Sequence, residues 1–387
     1  MEFIDLKAQQ LKLTPKGITL RQDIEQRIKS VLDHGKYILG PEVSQLENEL
    51  ATYTGVKNCI GVSSGTDALL IALMALNIKP GDEVITTPFS FFSTVETILL
   101  LGAKPVFVDI DKYTYNIDPK KIDRAISKKT KAIIAVSLYG QPANFTEINK
   151  IGEAFNLAII EDGAQSFGST HHKLKSCGLS MIGTTSFFPS KPLGCYGDGG
   201  ACFTNDETLA KKMREISVHG QSKRYSHSKI GLNGRLDTLQ AAVLLGKLSL
   251  FDSEVEARTK IGKRYSDQLL KNGFKSVPFI SSENTSVYAQ YTIQVENRDK
   301  VIQNMKRKGI PTSVHYPSLL CDQEALNNVN STSKSLLNNI FSKKIYQSYE
   351  INNAKDITKK VLSLPMHPLL SEDDQDLIIN SLLESLD

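Results

Sequence analysis

Leu157-Ala158-Ile159-Ile160-Glu161-Asp162-Gly163-Ala164-Gln165-Ser166 reads as an apolar strand that runs into two acids and then a turn. Runs of this kind recur from about residue 56 to 205, at 59–62, 83–87, 104–109, 131–138, 157–162, 185–188 and 200–204. Between them lie stretches with apolar residues at helical spacing, among them 66–76, 93–101 and 119–126. That alternation predicts an α/β unit built on a mostly parallel, seven-stranded sheet flanked by helices. After residue 235 the texture changes to one long helical pattern at 238–256, followed by apolar runs at 288–295 and 310–314. We therefore expect a large domain over 1–248, with an N-terminal arm, and a smaller C-terminal α+β domain over 249–387.

The bulk properties restrict the function classes. Of 387 residues, 40% are hydrophobic and 23% charged, an ordinary globular composition that excludes disorder and collagen-like repeats. Lys and Arg number 46 against 42 Asp and Glu, a net charge of +4 without basic blocks, so nothing favours nucleic acid or a membrane surface. Five scattered cysteines form no CxxC pair and no zinc-finger spacing, which predicts reduced thiols and no metal. Met1-Glu2-Phe3-Ile4-Asp5-Leu6-Lys7 is unlike a secretory leader, and no apolar run approaches the ~20 residues that span a bilayer. The expectation is a soluble, cytoplasmic protein.

Common phosphate motifs are missing. Gly178 to Thr184 has the glycine spacing of a Walker A loop but lacks its lysine, and no GxGxxG follows a predicted strand. Ser63-Ser64-Gly65-Thr66 does stand between a strand and a helix, where it is either a plain N-cap or an amide cup for a phosphate. Asp162 falls at a strand's carboxyl end, facing the crevice where open α/β sheets bind ligands; a cofactor partner, a metal ligand and a helix cap all fit there. The segment Pro189-Ser190-Lys191-Pro192-Leu193-Gly194-Cys195-Tyr196-Gly197-Asp198-Gly199-Gly200 sets a lysine between two prolines and then four glycines in seven residues. Lys191 is either a surface charge or an amine able to form a Schiff base.

Together, an anion cup, an acid at a strand end and a lysine in a Gly/Pro-rich turn are the parts that pyridoxal 5'-phosphate requires for its phosphate, its ring nitrogen and its aldehyde. Here the sequence resembles the DegT/DnrJ/EryC1/StrS sugar aminotransferases, pyridoxal-phosphate enzymes of fold type I. The resemblance runs over nearly the whole chain, through His34-Gly35-Lys36-Tyr37-Ile38-Leu39-Gly40-Pro41, Ser64-Gly65-Thr66-Asp67-Ala68-Leu69, Gly81-Asp82-Glu83-Val84-Ile85, Glu161 to Ser166, the lysine segment and Arg235-Leu236-Asp237-Thr238-Leu239-Gln240-Ala241-Ala242. It implies that Lys191 is the Schiff-base lysine, that Asp162 pairs with the pyridine nitrogen and that Gln165 lies near the phenolic oxygen. It further implies that Gly65, Thr66 and Ser186 hold the phosphate and that Phe91 stacks on the ring. Asn233 would reach the phosphate of a neighbouring subunit, making a homodimer with shared active sites.

Within that family the sequence is most similar to enzymes that aminate the 3-position of a UDP-2-acetamido-3-oxo-hexuronate for bacterial surface polysaccharide (O-antigen). The residues that carry this are Ser137-Leu138-Tyr139-Gly140-Gln141, Val287-Tyr288-Ala289-Gln290-Tyr291-Thr292 and Val314-His315-Tyr316-Pro317. Many relatives carry Glu in place of Asp198, and Cys195 also varies. The resemblance implies substrate contacts from Arg235, His315, Tyr316 and Tyr37, with L-glutamate as amino donor and 2-oxoglutarate as product. An arginine fork suits a carboxylate, and Arg235 could equally brace a dimer interface. A dTDP- or UDP-linked 6-deoxy 3- or 4-oxo sugar is the alternative substrate. A dehydratase of the same fold, or a non-catalytic regulator that binds cofactor or sugar nucleotide, are the alternative functions.

Other features read as structural. His171-His172 lack neighbouring acids in sequence and read as solvated rather than metal-binding. Cys195 reads as packed rather than reactive, and Lys211, Lys212 and Arg214 as a solvated helix face.

Overall fold

In the computed structural model, which describes residues 1–328 and 345–386, the seven expected strands form one sheet. They are Asn58–Val62, Glu83–Thr86, Lys104–Phe107, Thr130–Val136, Ala158–Asp162, Ile182–Ser186 and Gly200–Thr204. The spatial order is 58–62, 200–204, 182–186, 158–162, 130–136, 83–86, 104–107, and the two-residue strand Gln347–Ser348 adds an eighth at the far edge. Gly200–Thr204 runs antiparallel to both neighbours, and every other pairing is parallel.

Parallel strands need cover on both faces, and the side-chain alternation supplies it. Ile134 and Ile160 join Ala68, Ala72 and Leu73 of the Gly65–Ala75 helix and Met213 of the Glu207–Ser217 helix. Ile133, Ala135 and Ile159 pack instead with Phe145 and Ile148 of the Phe145–Phe155 helix. The same alternation resolves the two acids that end the Ala158–Asp162 strand: Asp162 shares a face with Ile160, Glu161 with Ile159.

The Thr238–Lys271 helix has 34 residues and continues 15 residues past its expected end at 256. Its first half, through Ala241, Leu244, Leu245 and Phe251, packs with Phe187 and Phe203. Its second half, through Ile261, Tyr265 and Leu269, packs with Tyr291, Ile293, Leu362 and Leu364. The last four belong to an antiparallel pair, Tyr291–Gln294 with Val361–Leu364, beside the helices Arg298–Arg307 and Glu372–Leu386.

Four expectations are corrected. Residues 119–126 form two 3-10 turns, Pro119–Lys121 and Asp123–Ala125, because the extended Ile126 ends the coil before a full α-turn can propagate. The strand expected at 185–188 begins three residues earlier, where Gly183 pairs with Phe203, and ends at Ser186. His171, read as solvated, is buried, with its ring nitrogens engaged by Asn284 and Thr146. Arg214 is also more than a solvated charge: it clamps the buried Glu47 carboxylate with two nitrogens, at 2.8 and 3.2 Å. Among the described residues no helix is long and apolar enough to cross a membrane.

Candidate active site

The predicted site residues collect at the carboxyl ends of the parallel strands, where an α/β sheet presents its ligand crevice. Ser63 and Ser64 follow Asn58–Val62, Phe91 lies beyond Glu83–Thr86, and Asp162 and Ser186 end their own strands.

Ser64 is the N-cap of the Gly65–Ala75 helix, its hydroxyl accepting from Asp67 N at 3.0 Å. The first-turn amides of Gly65 and Thr66 have no partner within the helix. Ser186 closes over them so tightly that a Cβ on Gly65 would lie 2.6 Å from the Ser186 Cβ. Gly200 backs the same turn, since a Cβ there would lie 2.5 Å from Ser64 O. Unpaired amides, a hydroxyl and the positive end of a helix dipole make a cup that fits a phosphate.

Asp162 is buried, and two groups fix its carboxylate: Thr94 Oγ1 donates to Oδ2 at 3.2 Å and Ala164 N donates to Oδ1 at 3.2 Å. Burial raises its pKa, and those hydrogen bonds together with the Lys191 charge offset only part of that rise. Lys191 is half-buried in the turn, its own N–H donating to Phe188 O at 2.8 Å. Burial lowers the Lys191 pKa against the opposing pull of Asp162, so the two side chains feel each other's charge. An amine beside a carboxylate, next to a phosphate cup, can bond an aldehyde and then move protons.

A polar chain forms one wall. Gln165 Oε1 accepts from Tyr139 N at 2.8 Å, and its Nε2 donates to the Tyr316 hydroxyl at 3.0 Å. The exposed Phe91 ring stands 6.3 Å from the Tyr316 ring. His315 accepts at its carbonyl from the Tyr139 hydroxyl, and its Nδ1 meets Ser363 Oγ at 2.9 Å. Burial, with the Lys191 charge behind it, pushes the His315 pKa down to about 4. Its imidazole is therefore neutral at pH 7.

Three residues lie farther out. Arg235 bridges Val62 through its backbone, and its Nε is buried without a hydrogen-bond partner. Asn233 is exposed and stands next to Gly234, whose carbonyl accepts from Ser63 N at 3.1 Å. Tyr37 is exposed on the Gly35 to Gly40 turn, which is tied to the long helix by Thr238 N donating to Tyr37 O at 3.0 Å.

The sequence profile of the DegT/DnrJ/EryC1/StrS aminotransferase family matches residues 19–383. The chain belongs to the DegT/DnrJ/EryC1/StrS aminotransferase family. It is 49% identical over 370 residues, 96% of each chain, to the UDP-2-acetamido-2-deoxy-3-oxo-D-glucuronate aminotransferase of Pseudomonas aeruginosa. A solved DegT/DnrJ/EryC1/StrS aminotransferase from Brucella abortus superposes with a TM-score of 0.90 at 39% identity, covering 100% of this chain and 99% of that one. NtdA from Bacillus subtilis, solved with bound cofactor PMP, superposes with a TM-score of 0.84 at 32% identity, covering 97% and 83%.

Sequence reasoning missed two groups in this DegT-family site. Thr94 anchors Asp162 from a neighbouring helix, and a lone threonine in an apolar helix carries no signal. Tyr139 supports both Gln165 and His315; it stood inside a stretch already singled out, without a role. Elsewhere, both ring nitrogens of His171 are engaged, Nδ1 with Asn284 and Nε2 with Thr146, in the wall of a groove of about 440 Å³ that no predicted site residue lines. Cys195 is buried, its thiol at 3.0 Å from Phe187 O and its pKa pushed up to about 11 by burial.

Proposed function

We propose that this aminotransferase moves the amino group of L-glutamate onto the 3-oxo carbon of UDP-2-acetamido-2-deoxy-3-oxo-glucuronate, with pyridoxal phosphate as cofactor, in bacterial surface polysaccharide synthesis. The observation that carries the reaction type is the buried Asp162 with the half-buried Lys191 beside the cup of Gly65, Thr66 and Ser186. The likeness to the Pseudomonas aeruginosa enzyme carries the choice of sugar.

Pyridoxal phosphate, when bound, supplies the electron sink that lets an amino acid lose its α-proton. The chain does the rest. Lys191 would bond the aldehyde and, as a free amine, would take and return the α-proton; its depressed pKa suits that exchange. Asp162, held by Thr94 and Ala164, favours the protonated form of the ring nitrogen facing it. Gln165 would orient the phenolic side and Phe91 would stack on the ring. The unpartnered Arg235 Nε fits a donor fork for the uronate carboxylate, and His315, Tyr316 and Tyr37 line the sugar's approach. Asn233 reaches the cup of a second subunit, so the working unit is a homodimer. The same reading makes the protein cytoplasmic and divides it into two domains near residue 248, inside the long helix.

The test is a panel of UDP- and dTDP-linked oxo-sugars supplied with L-glutamate, with products weighed by mass spectrometry. Amination of the UDP-3-oxo-uronate above the 6-deoxy sugars supports the reading. Amination of a 6-deoxy sugar alone would overturn the substrate, and no 2-oxoglutarate from any of them would overturn the reaction.

A further inference from the structure

Beside Lys191 lies a small polar cavity of about 10 Å³, room for about one water molecule. Its walls come from four parts of the chain. Pro189 and Lys191 belong to the lysine turn, Lys247 and Arg258 to the Thr238–Lys271 helix, and Gln9 to the short Leu6–Gln9 helix of the N-terminal arm; His367 completes them. Arg258 is 4% exposed, His367 6% and Lys247 3%, so these groups cannot turn to solvent.

Three buried polar atoms here have no hydrogen-bond partner among the described residues: Gln9 Oε1, Arg258 Nε and His367 Nδ1. The orientation of Gln9 is fixed, because its Nε2 donates to both oxygens of the buried Glu254 carboxylate, at 2.9 and 3.1 Å, which turns Oε1 the other way. Arg258 spends Nη1 on the carbonyls of Tyr288 and Met366, at 3.3 and 3.5 Å. An amide oxygen can only accept, a guanidinium N–H can only donate, and an imidazole nitrogen can do either. One water satisfies all three, and its usual complement is about three such bonds. At about 10 Å³ the cavity admits a water molecule but no polyatomic ion.

We propose that Gln9, Arg258 and His367 hold one water in this cavity, and that through it the N-terminal arm is a positioning element for Lys191. The arm straps the back of the site. Phe3 O accepts from Met366 N at 3.3 Å, the Phe3 ring lies 6.3 Å from the His315 ring, and Gln9 pins Glu254. Lys247, 4.7 Å beneath the Tyr196 ring, supports the far end of the lysine turn. With the water in place the floor under Lys191 is filled and hydrogen-bonded; without it the side chain can settle backward, away from the cup. This inference rests on the reading of Lys191 as the lysine that bonds pyridoxal phosphate.

Two measurements test it. A crystal structure of the unaltered protein, at a resolution that shows solvent, is expected to place a water within hydrogen-bond distance of Gln9 Oε1, Arg258 Nε and His367 Nδ1. A dry cavity with those side chains in place would overturn the proposal. The second mixes cofactor-free protein with pyridoxal phosphate and follows the visible band of the lysine adduct. Gln9→Met keeps the volume but removes both the acceptor and the two hydrogen bonds to Glu254, and it should slow the band's appearance by about tenfold. Lys12→Met, which loses only an ion pair to Glu254, should stay within roughly twofold of the unaltered rate. An unchanged rate for Gln9→Met, or equal slowing in both variants, would refute the water's role. A band that persists in Lys191→Ala would instead sink the underlying assignment of the lysine.

Discussion

Gln165 and Tyr316, 151 residues apart in sequence, meet through a 3.0 Å hydrogen bond from the Gln165 amide to the Tyr316 hydroxyl. The bond joins the turn after the Ala158–Asp162 strand to the His315-Tyr316 segment and sets one wall of the candidate site. Tyr316→Phe removes the acceptor and leaves a buried amide N–H unmet, a loss of about 1 kcal/mol. Steady-state kinetics should show kcat/KM lower by about fivefold to tenfold, with pyridoxal phosphate still bound. A larger loss would give the hydroxyl a direct part in the chemistry.

Asp162→Asn keeps the shape of the site, since one amide oxygen can still accept from Ala164 N while the NH2 faces Thr94 Oγ1. Only the charge is lost. Cofactor binding should survive, and turnover with L-glutamate should fall by about 100-fold or more, because the ring nitrogen loses the group that keeps it protonated. Turnover within a few-fold of normal would contradict the role given to Asp162.

Gly65→Ala tests the cup. The added methyl would lie 2.6 Å from the Ser186 Cβ, so the helix start and the strand end must separate. Overpacking of this kind costs about 1–3 kcal/mol. Absorbance titration with pyridoxal phosphate should show affinity weakened by about tenfold or more, while Gly17→Ala, at a turn open to solvent, should leave it unchanged.

Glu161 has a signature of its own in the pH dependence of stability. Fully buried on the opposite face from Asp162, it accepts from Ser176 Oγ and Cys177 N, and burial pushes its pKa from 4.5 up to about 7. Unfolding lets it ionise at its ordinary value. Its contribution is therefore fully present below about pH 4.5, is lost as pH rises to about 7, and stays lost above that, a change of up to about 3 kcal/mol. Glu161→Gln should flatten this part of the profile and narrow the gap from, or exceed, the unaltered protein at pH 8, as read by denaturant unfolding. Parallel profiles for the two proteins would show that Glu161 ionises normally.

The sheet was legible in the sequence because its strands are short apolar, β-branched runs separated by helices, a pattern set by burial on both faces. The edge strand Gln347–Ser348 carries no such pattern: two polar residues pair with Val106 and Phe107, and Gln347 Oε1 accepts from Lys104 Nζ at 3.3 Å. The continuation of the long helix to Lys271 was missed because charged residues dominate its outer side after residue 251. Lys191, Asp162 and the Gly65 cup stood out since their residue types and local glycines and prolines are unusual together. Thr94, Tyr139 and Gln9 did not, because each acts through a contact across 68 residues or, for Gln9, 245, with nothing local to mark it; Tyr139 reaches His315 across 176.

The central claim is that Lys191 is the residue that bonds the cofactor. Borohydride reduction of the protein loaded with pyridoxal phosphate, followed by proteolysis and peptide mass mapping, reads it directly. The account predicts one phosphopyridoxyl group per chain, on Lys191. A group carried mainly on another lysine, or none at all, would contradict it.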